Sequence, residues 1–598
     1  DAIRAVPAYK TILDTLPLPY QPVSPTADAG RYSGVGRIEA HDNHAVVKGD
    51  IQINSGSTLG LTYTRGRPFR LTPRASEVNH REWNGMQERG AASYTMFGAA
   101  WSAETRFGYN YNSVARIDNL WNVSLDTSAE ESFLGARRLP SITVPGFENG
   151  GGAEFVEYFG PVWSVEQKYT RHRGQHSFKF GGIYTSRGAG RVNSENPRFL
   201  YDNRADFLAN IPSSTQFMFG NNRYNSHSFD AGFFAQDDWR ITSKLVINLG
   251  ARYDYFSHFV AKPVNPDQPA GFFNLDGLLD DQFRFGPFRD PLNPGESDKW
   301  ANIGPRVGFS YNADGKGNTS VRGGVSVMFG PQPRDDYNSA VGRSTKVPVI
   351  VIYSKAESAA NNIRFPYFND GALSIVERSP QTQVGSIFDP HIQNPYSTNV
   401  YLGVQRALTA SLMLETAFVG NRGLKFRLLR QYNEVDRLTG VRRNPTIGAG
   451  RYFDSSQNTV YASWQTSLRK RYSRGLTGAV HYTWGKALAY TGGDTGANFS
   501  GDTTINVQDF FDVRSNKGPS AGDVTHRFIA DCIYELPAFQ NAAPVARHIL
   551  GAWQVSGVLT ATTGEPLVLN QPSTLSHAGR TTPAENRSLT ITVKPCST

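Results

Sequence analysis

Residues 228–256 carry two interleaved combs. Phe229, Ala231, Phe233, Ala235, Asp237, Trp239 and Ile241 form one, and Ser228, Asp230, Gly232, Phe234, Gln236, Asp238 and Arg240 the other. After Thr242, Ser243 and Lys244 the apolar comb resumes as Leu245, Ile247, Leu249, Ala251, Tyr253 and Tyr255, with Asn248, Gly250, Arg252 and Asp254 between. Alternation with a period of two marks a strand whose two faces meet different surroundings, and turn residues between two such runs predict an antiparallel hairpin. Asp237 is the misfit, a carboxylate among apolar residues, and a bulge or a headgroup-level position would accommodate it.

The pattern recurs. Ile303, Pro305, Val307, Phe309 and Tyr311 alternate with Gly304, Arg306, Gly308 and Ser310; after "ADGKGN", Val321, Val325, Val327 and Phe329 alternate with Arg322, Gly324 and Ser326. Trp464 and Leu468 precede a turn at residues 473–475, and Leu476, Val480, Tyr482 and Trp484 follow it. Weaker copies surround residues 54–58, 171–175 and 407–410. The runs reach roughly 11–15 residues, where strands of water-soluble proteins average about five or six. Tight turns alternate with long segments near 188–225, 259–299, 332–394 and 425–458, so one rim is trimmed and the other carries large loops. That asymmetry belongs to outer-membrane barrels, with short periplasmic turns and long outside loops.

The reading is an all-β, transmembrane antiparallel barrel of about sixteen strands. A lead-in segment spans residues 1–45, the barrel region 46–563, and a loop-like tail 564–598 in which no closing strand is recognised. Because a barrel in lipid tolerates no free edge, further strands are expected beyond one or both ends. The apolar comb is assigned to lipid, and the polar comb, with Arg252, Asp254, Arg306 and Arg322, to a watery lumen.

Composition agrees. The 598 residues are 39% hydrophobic, 12% aromatic and 19% charged, and the mean hydropathy is −0.43. Abundant aromatics at low hydropathy suit a wall that is apolar on one side only. The net charge of +9 is small for this length and scattered, which argues against nucleic acid as a partner. Two cysteines make no disulfide framework. No run of about 18 apolar residues is present, so a transmembrane helix is excluded.

Several stretches, in order along the chain, resemble TonB-dependent outer-membrane receptors, specifically the large Oar-like type. They are "FFAQDDWRITSKLVINLGARYDYF" (233–256), "QHSFKFGG" (175–182), "NIGPRVGFSY" (302–311), "FVGNRG" (418–423), "WQTSLRKRYSRGLTGAVHYTWGKAL" (464–488), "DVTHRFIADCIYELP" (523–537) and "GAWQVSGVLTATTGEP" (551–566). The resemblance implies a 22-stranded barrel of which this chain holds a middle portion. It also implies residence in the bacterial outer membrane, contact with its lipid, coupling to the TonB complex, and uptake or export of a bulky ligand. The family's plug domain, TonB-binding segment and terminal aromatic strand are not recognised in this sequence. Two other readings stand beside transport: a surface adhesion or binding barrel, and a passive porin.

Chemistry is sparse. Asp237–Asp238 and Asp280–Asp281 are adjacent carboxylates that read as girdle or loop charges. His172 and His176 span a turn, which does not stack them as a helix would. "NADGKGN" echoes a calcium loop but lacks the acidic twelfth position. No nucleophile elbow or phosphate loop is found, so neither an enzyme nor a metal or cofactor is expected. The candidate ligand contacts are aromatics and arginines of the long loops: Phe273, Phe283, Arg284, Phe285 and Arg289 in one, Tyr337, Arg343 and Tyr367 in another. Packing of the loops on one another is the competing role for them.

Overall fold

The computed structural model describes residues 21–22, 30–31, 36–76, 79–119, 140–145, 154–195, 197–219, 223–257, 260–263, 301–331, 349–365, 386–389, 392–433, 442–445, 450–490, 509–520, 522–536, 543–545 and 553–566, with a few single positions such as Phe283. Among them sixteen long strands build one antiparallel sheet. They are β1 (Glu39–Asn54), β2 (Ser57–Ser76), β3 (Asn79–Gly98), β4 (Trp101–Asp118), β5 (Glu154–Arg173), β6 (His176–Glu195), β7 (Arg223–Arg240) and β8 (Leu245–Phe256). The second half holds β9 (Ile303–Asn312), β10 (Thr319–Phe329), β11 (Tyr396–Thr409), β12 (Leu412–Tyr432), β13 (Gly450–Ser473), β14 (Leu476–Ala489), β15 (His526–Glu535) and β16 (Gln554–Thr562). Each pairs with the next in sequence, so the sheet is an up-and-down meander rolled into a barrel wall.

Register fixes the faces. Gln236, Gly250, Arg306, Ser326, Asn399 and Asn421 stand opposite one another across β7 to β12. One residue along, Asp237, Leu249, Val307, Val325 and Val400 form the neighbouring row. Residues paired across strands share a face, so one face is polar and the next row belongs to the apolar one. Leu249 and Val307 are 44% and 54% exposed, so the apolar comb is the outer skin and not a packed core.

The short turns fall at one rim. At residues 473–476 the chain reverses through Gly475, whose φ of 77° is left-handed and whose Cβ would lie 2.5 Å from the Glu535 carbonyl oxygen. Only glycine meets both demands. The strands are longer than their alternation predicts, reaching 24 residues in β13. Their far ends rise above the span of a membrane, where both faces are wet and period-two patterning is no longer needed. For the same reason β1 begins at Glu39, before the alternation starts at Val46.

Among the described residues no ladder of paired residues joins β16 to β1. Consistent with this seam, β16 is exposed along its whole length and β1 at all but its first residue.

At the long-loop rim, segments of the connections after β4, β6 and β10 assemble a four-stranded sheet: Ser141–Thr143, Arg198–Leu200, Ser214–Phe219 and Val349–Ser354. Helices α1 (Arg204–Leu208) and α2 (Lys355–Ala360) flank it. Its core is Phe199 and Phe365, edge to face at 5.3 Å, with Tyr353, Ile363 and Phe207 buried beside them. Ser354 and Glu357 close a capping box on α2, and Lys355 reaches Asp206 of α1 at 2.8 Å. Loops separated by up to some 200 residues thus share one small core.

Candidate functional site

The polar face of the wall divides into two regions. From β4 to β8 it is laced with ion pairs: Glu166 holds Lys168 at 2.9 Å and Arg106 at 3.7 Å, Lys179 meets Asp238 at 2.7 Å, and Arg187 meets Asp230 at 2.8 Å. Asp238 also accepts from Gln236 and Asn248, at 2.8 and 2.6 Å. Arg252 is turned onto Asp254, with Nε 2.9 and 3.0 Å from its two oxygens. A Cβ at Gly232 would stand 2.2 Å from the Arg252 guanidinium, so the glycine makes room for this pair.

From β8 to β12 the lacing stops. Gly250, Gly308 and Gly324 leave the sheet bare, and a hollow of about 540 Å³ opens over it. Amides of Asn248, Asn399 and Asn421 and the Tyr401 ring stand around it. Arg306 and Arg322 flank the Gly308–Gly324 pair, and neither has a carboxylate within ion-pair distance among the described residues. Among the described residues Arg322 hydrogen-bonds to the Ser320 hydroxyl alone, at 3.3 Å. Arg252, Asp254, Arg306 and Arg322 share one face of the sheet, the first two paired with each other and the last two without an ion-pair partner among the described residues.

Of the predicted loop contacts, Phe273, Arg284, Phe285, Arg289, Tyr337, Arg343 and Tyr367 lie outside the described residues. Phe283 lies within them, and it is buried. Its ring packs edge to face on Phe510 at 5.1 Å and against Phe511 and Tyr432 at 5.4 and 6.2 Å. Arg430 lies over both Tyr452 and Phe510, 4.9 and 4.5 Å from their centroids, and pairs with buried Asp454. Burial pushes the Asp454 carboxyl up, and the Arg430 guanidinium pulls against that shift. Burial also pushes the Tyr432 phenol well above its usual range. The cluster ties two long connections to the tops of β12 and β13. Sequence reasoning missed Arg430, Tyr452, Asp454, Phe510 and Phe511, since nothing periodic links them. The hollow had a signal: glycine, asparagine and serine fill the polar comb of four consecutive strands.

Asp237 remains in register, without a bulge, and is answered by a neighbour. His176 Nδ1 lies 2.7 Å from its Oδ2. His172 and His176 fall on opposite faces, paired with Ser177 and with Arg173 respectively, which separates them as metal ligands. Among the described residues no group of three metal-ligating side chains occurs. Asp314 of the calcium-like loop accepts the Lys316 backbone N–H at 2.9 Å, as a turn residue does.

Among solved structures, the outer membrane transporter YddB from Escherichia coli is 9% identical, with a TM-score of 0.51, over 89% of this chain and 63% of that one. FpvA of P. aeruginosa, bound to heterologous pyoverdines, is 11% identical at a TM-score of 0.48, covering 89% and 56%. BauA, the ferric preacinetobactin receptor from Acinetobacter baumannii, is 9% identical at 0.45, covering 88% and 62%. The chain spans less than two thirds of the length of these structures, and at such identity the likeness is one of fold. No curated protein matches. The sequence matches the family described as "Outer membrane beta barrel domain" over residues 2–596. With its apolar skin and polar inner wall, the chain belongs to that outer-membrane β-barrel family.

Proposed function

We propose that this chain is the barrel of a TonB-dependent outer-membrane receptor that moves a bulky ligand across the outer membrane. The supporting observation is the inner wall, rich in polar and charged residues and hollowed beside Arg306 and Arg322, beneath a rim crowned by interlocked loops. A wall of fixed dipoles and charges suits passage without covalent chemistry. Phe273, Arg284, Phe285, Arg289, Tyr337, Arg343 and Tyr367 are the proposed first contacts of the ligand, with Phe283 anchoring the loop that carries four of them. Arg252, Asp254, Arg306 and Arg322 set the field met further in. The fold shared with a transporter supports this reading. The long loops and their shared core weigh against an unobstructed porin, and the hollow weighs against adhesion alone.

The test is uptake by cells expressing the intact gene, with and without TonB, of ferric chelates and oligosaccharides too large for general porins. Uptake that needs both the protein and TonB is expected. Uptake independent of TonB would establish a passive pore, and surface retention without entry would establish an adhesion barrel.

A further inference from the structure

The misfit on the apolar comb has neighbours of its own. The His176 imidazole lies beside both the Phe178 and Trp239 rings, 5.4 Å from each and within 4° and 16° of parallel. Its Nδ1 faces the Asp237 carboxylate, which accepts, so Nδ1 carries the hydrogen and the ring is pinned in place. Asp237 thereby fixes the ring, as a positioning residue.

Two ladder rows run through this point on the outer face. One reads Trp101, Arg171, Phe178, Asp237, and the next Arg173, His176, Trp239. Arg171 and Arg173 are exposed, and neither makes an ion pair or side-chain hydrogen bond among the described residues. Above them the apolar face continues through Tyr169 and Phe180, 4.9 Å apart, and exposed Tyr184. All of this sits beside the short turn at residues 173–176, at the rim that in such barrels faces the periplasm. Two unpaired guanidiniums on a lipid-facing surface, framed by aromatics at headgroup level, complement a phosphate whose acyl chains lie along the rings above it.

We propose that Arg171 and Arg173 form a binding site for the phosphate of a phospholipid headgroup in the periplasmic leaflet, with the His176 ring, held by Asp237, as part of its aromatic frame. Inorganic phosphate presents the same oxygens without the chains, and the test separates the two. The full chain, folded in dodecyl maltoside, is titrated with phosphatidylglycerol and lipid adducts are counted by native mass spectrometry. One tightly retained lipid is expected, with affinity falling about tenfold in the R171Q/R173Q variant, the scale of one lost charge-assisted contact. D237N releases the His176 ring and lowers affinity by about threefold, with heat-modifiable migration unchanged. Arg406, an exposed arginine elsewhere on the outer face near the same rim, lacks the aromatic frame, and R406Q leaves retention as in the wild type. The proposal is overturned if R171Q/R173Q retains lipid like the wild type, if R406Q loses it equally, if a phosphate-free glycolipid binds as well, or if millimolar inorganic phosphate displaces the lipid.

Discussion

Phe283 and Phe510 meet edge to face, 5.1 Å between centroids, although more than 200 residues separate them in the chain. Each belongs to a different long connection, and the contact holds both against the barrel rim. Replacing Phe283 with alanine removes a buried ring whose loss costs about 3–5 kcal/mol in a packed core. Limited proteolysis of F283A should cut the connections near residues 283 and 510 at least about tenfold faster than in the wild type. The strands below make no use of this ring, so heat-modifiable migration should not change.

Val307 tests which face meets hydrocarbon. It is 54% exposed on the outer comb, next to Arg306 on the inner one. A lysine at a lipid-facing midplane position costs roughly 2–4 kcal/mol, whereas one in the lumen costs little. Reversible folding into bilayers should show V307K destabilised by about that amount, with R306K unaffected. Equal effects would mean that the faces are misassigned.

Gly232 is held to its size by the Arg252 guanidinium. A valine there collides with the Arg252–Asp254 pair and should destabilise folding by about 1–3 kcal/mol, as overpacking does. R252A in the same background opens the space and should recover part of the loss. A double-mutant cycle in denaturant measures this coupling.

The rim sheet has a pH limit set by Tyr353. Burial, and then the nearby Glu357 charge, push its phenol up to about 12 from the ordinary 10. The folded state favours the protonated phenol, so the unfolded chain loses its proton first as pH rises. Stability contributed here is whole below pH 10 and falls between about 10 and 12. Absorbance titration should show one tyrosine ionising near 12 that is missing in Y353F.

How much of this was legible in the sequence depended on distance from the membrane. Where lipid and water face each other across one strand, as at Leu249 and Arg252, alternation is imposed, and the strands and turns from 228 to 256 were read directly. Above the membrane no such constraint acts. The upper half of β13 and the sheet joining residues 141–143 to 349–354 follow from long-range packing, which leaves no local period. The hollow was half legible: Arg306 and Arg322 stood out as charges, while Gly308 and Gly324 looked like ordinary strand glycines until register placed them side by side. Asp237 was legible as an anomaly, and its partner, 61 residues away, was not.

The end strands β1 and β16 bear on how this polypeptide behaves once isolated. Among the described residues neither has a paired ladder to a second neighbour along the sheet, and a backbone amide or carbonyl left unpaired in an oily solvent costs several kcal/mol. In lipid the two margins must therefore be joined to each other or to further strands, and a short peptide copying one margin should add to the other.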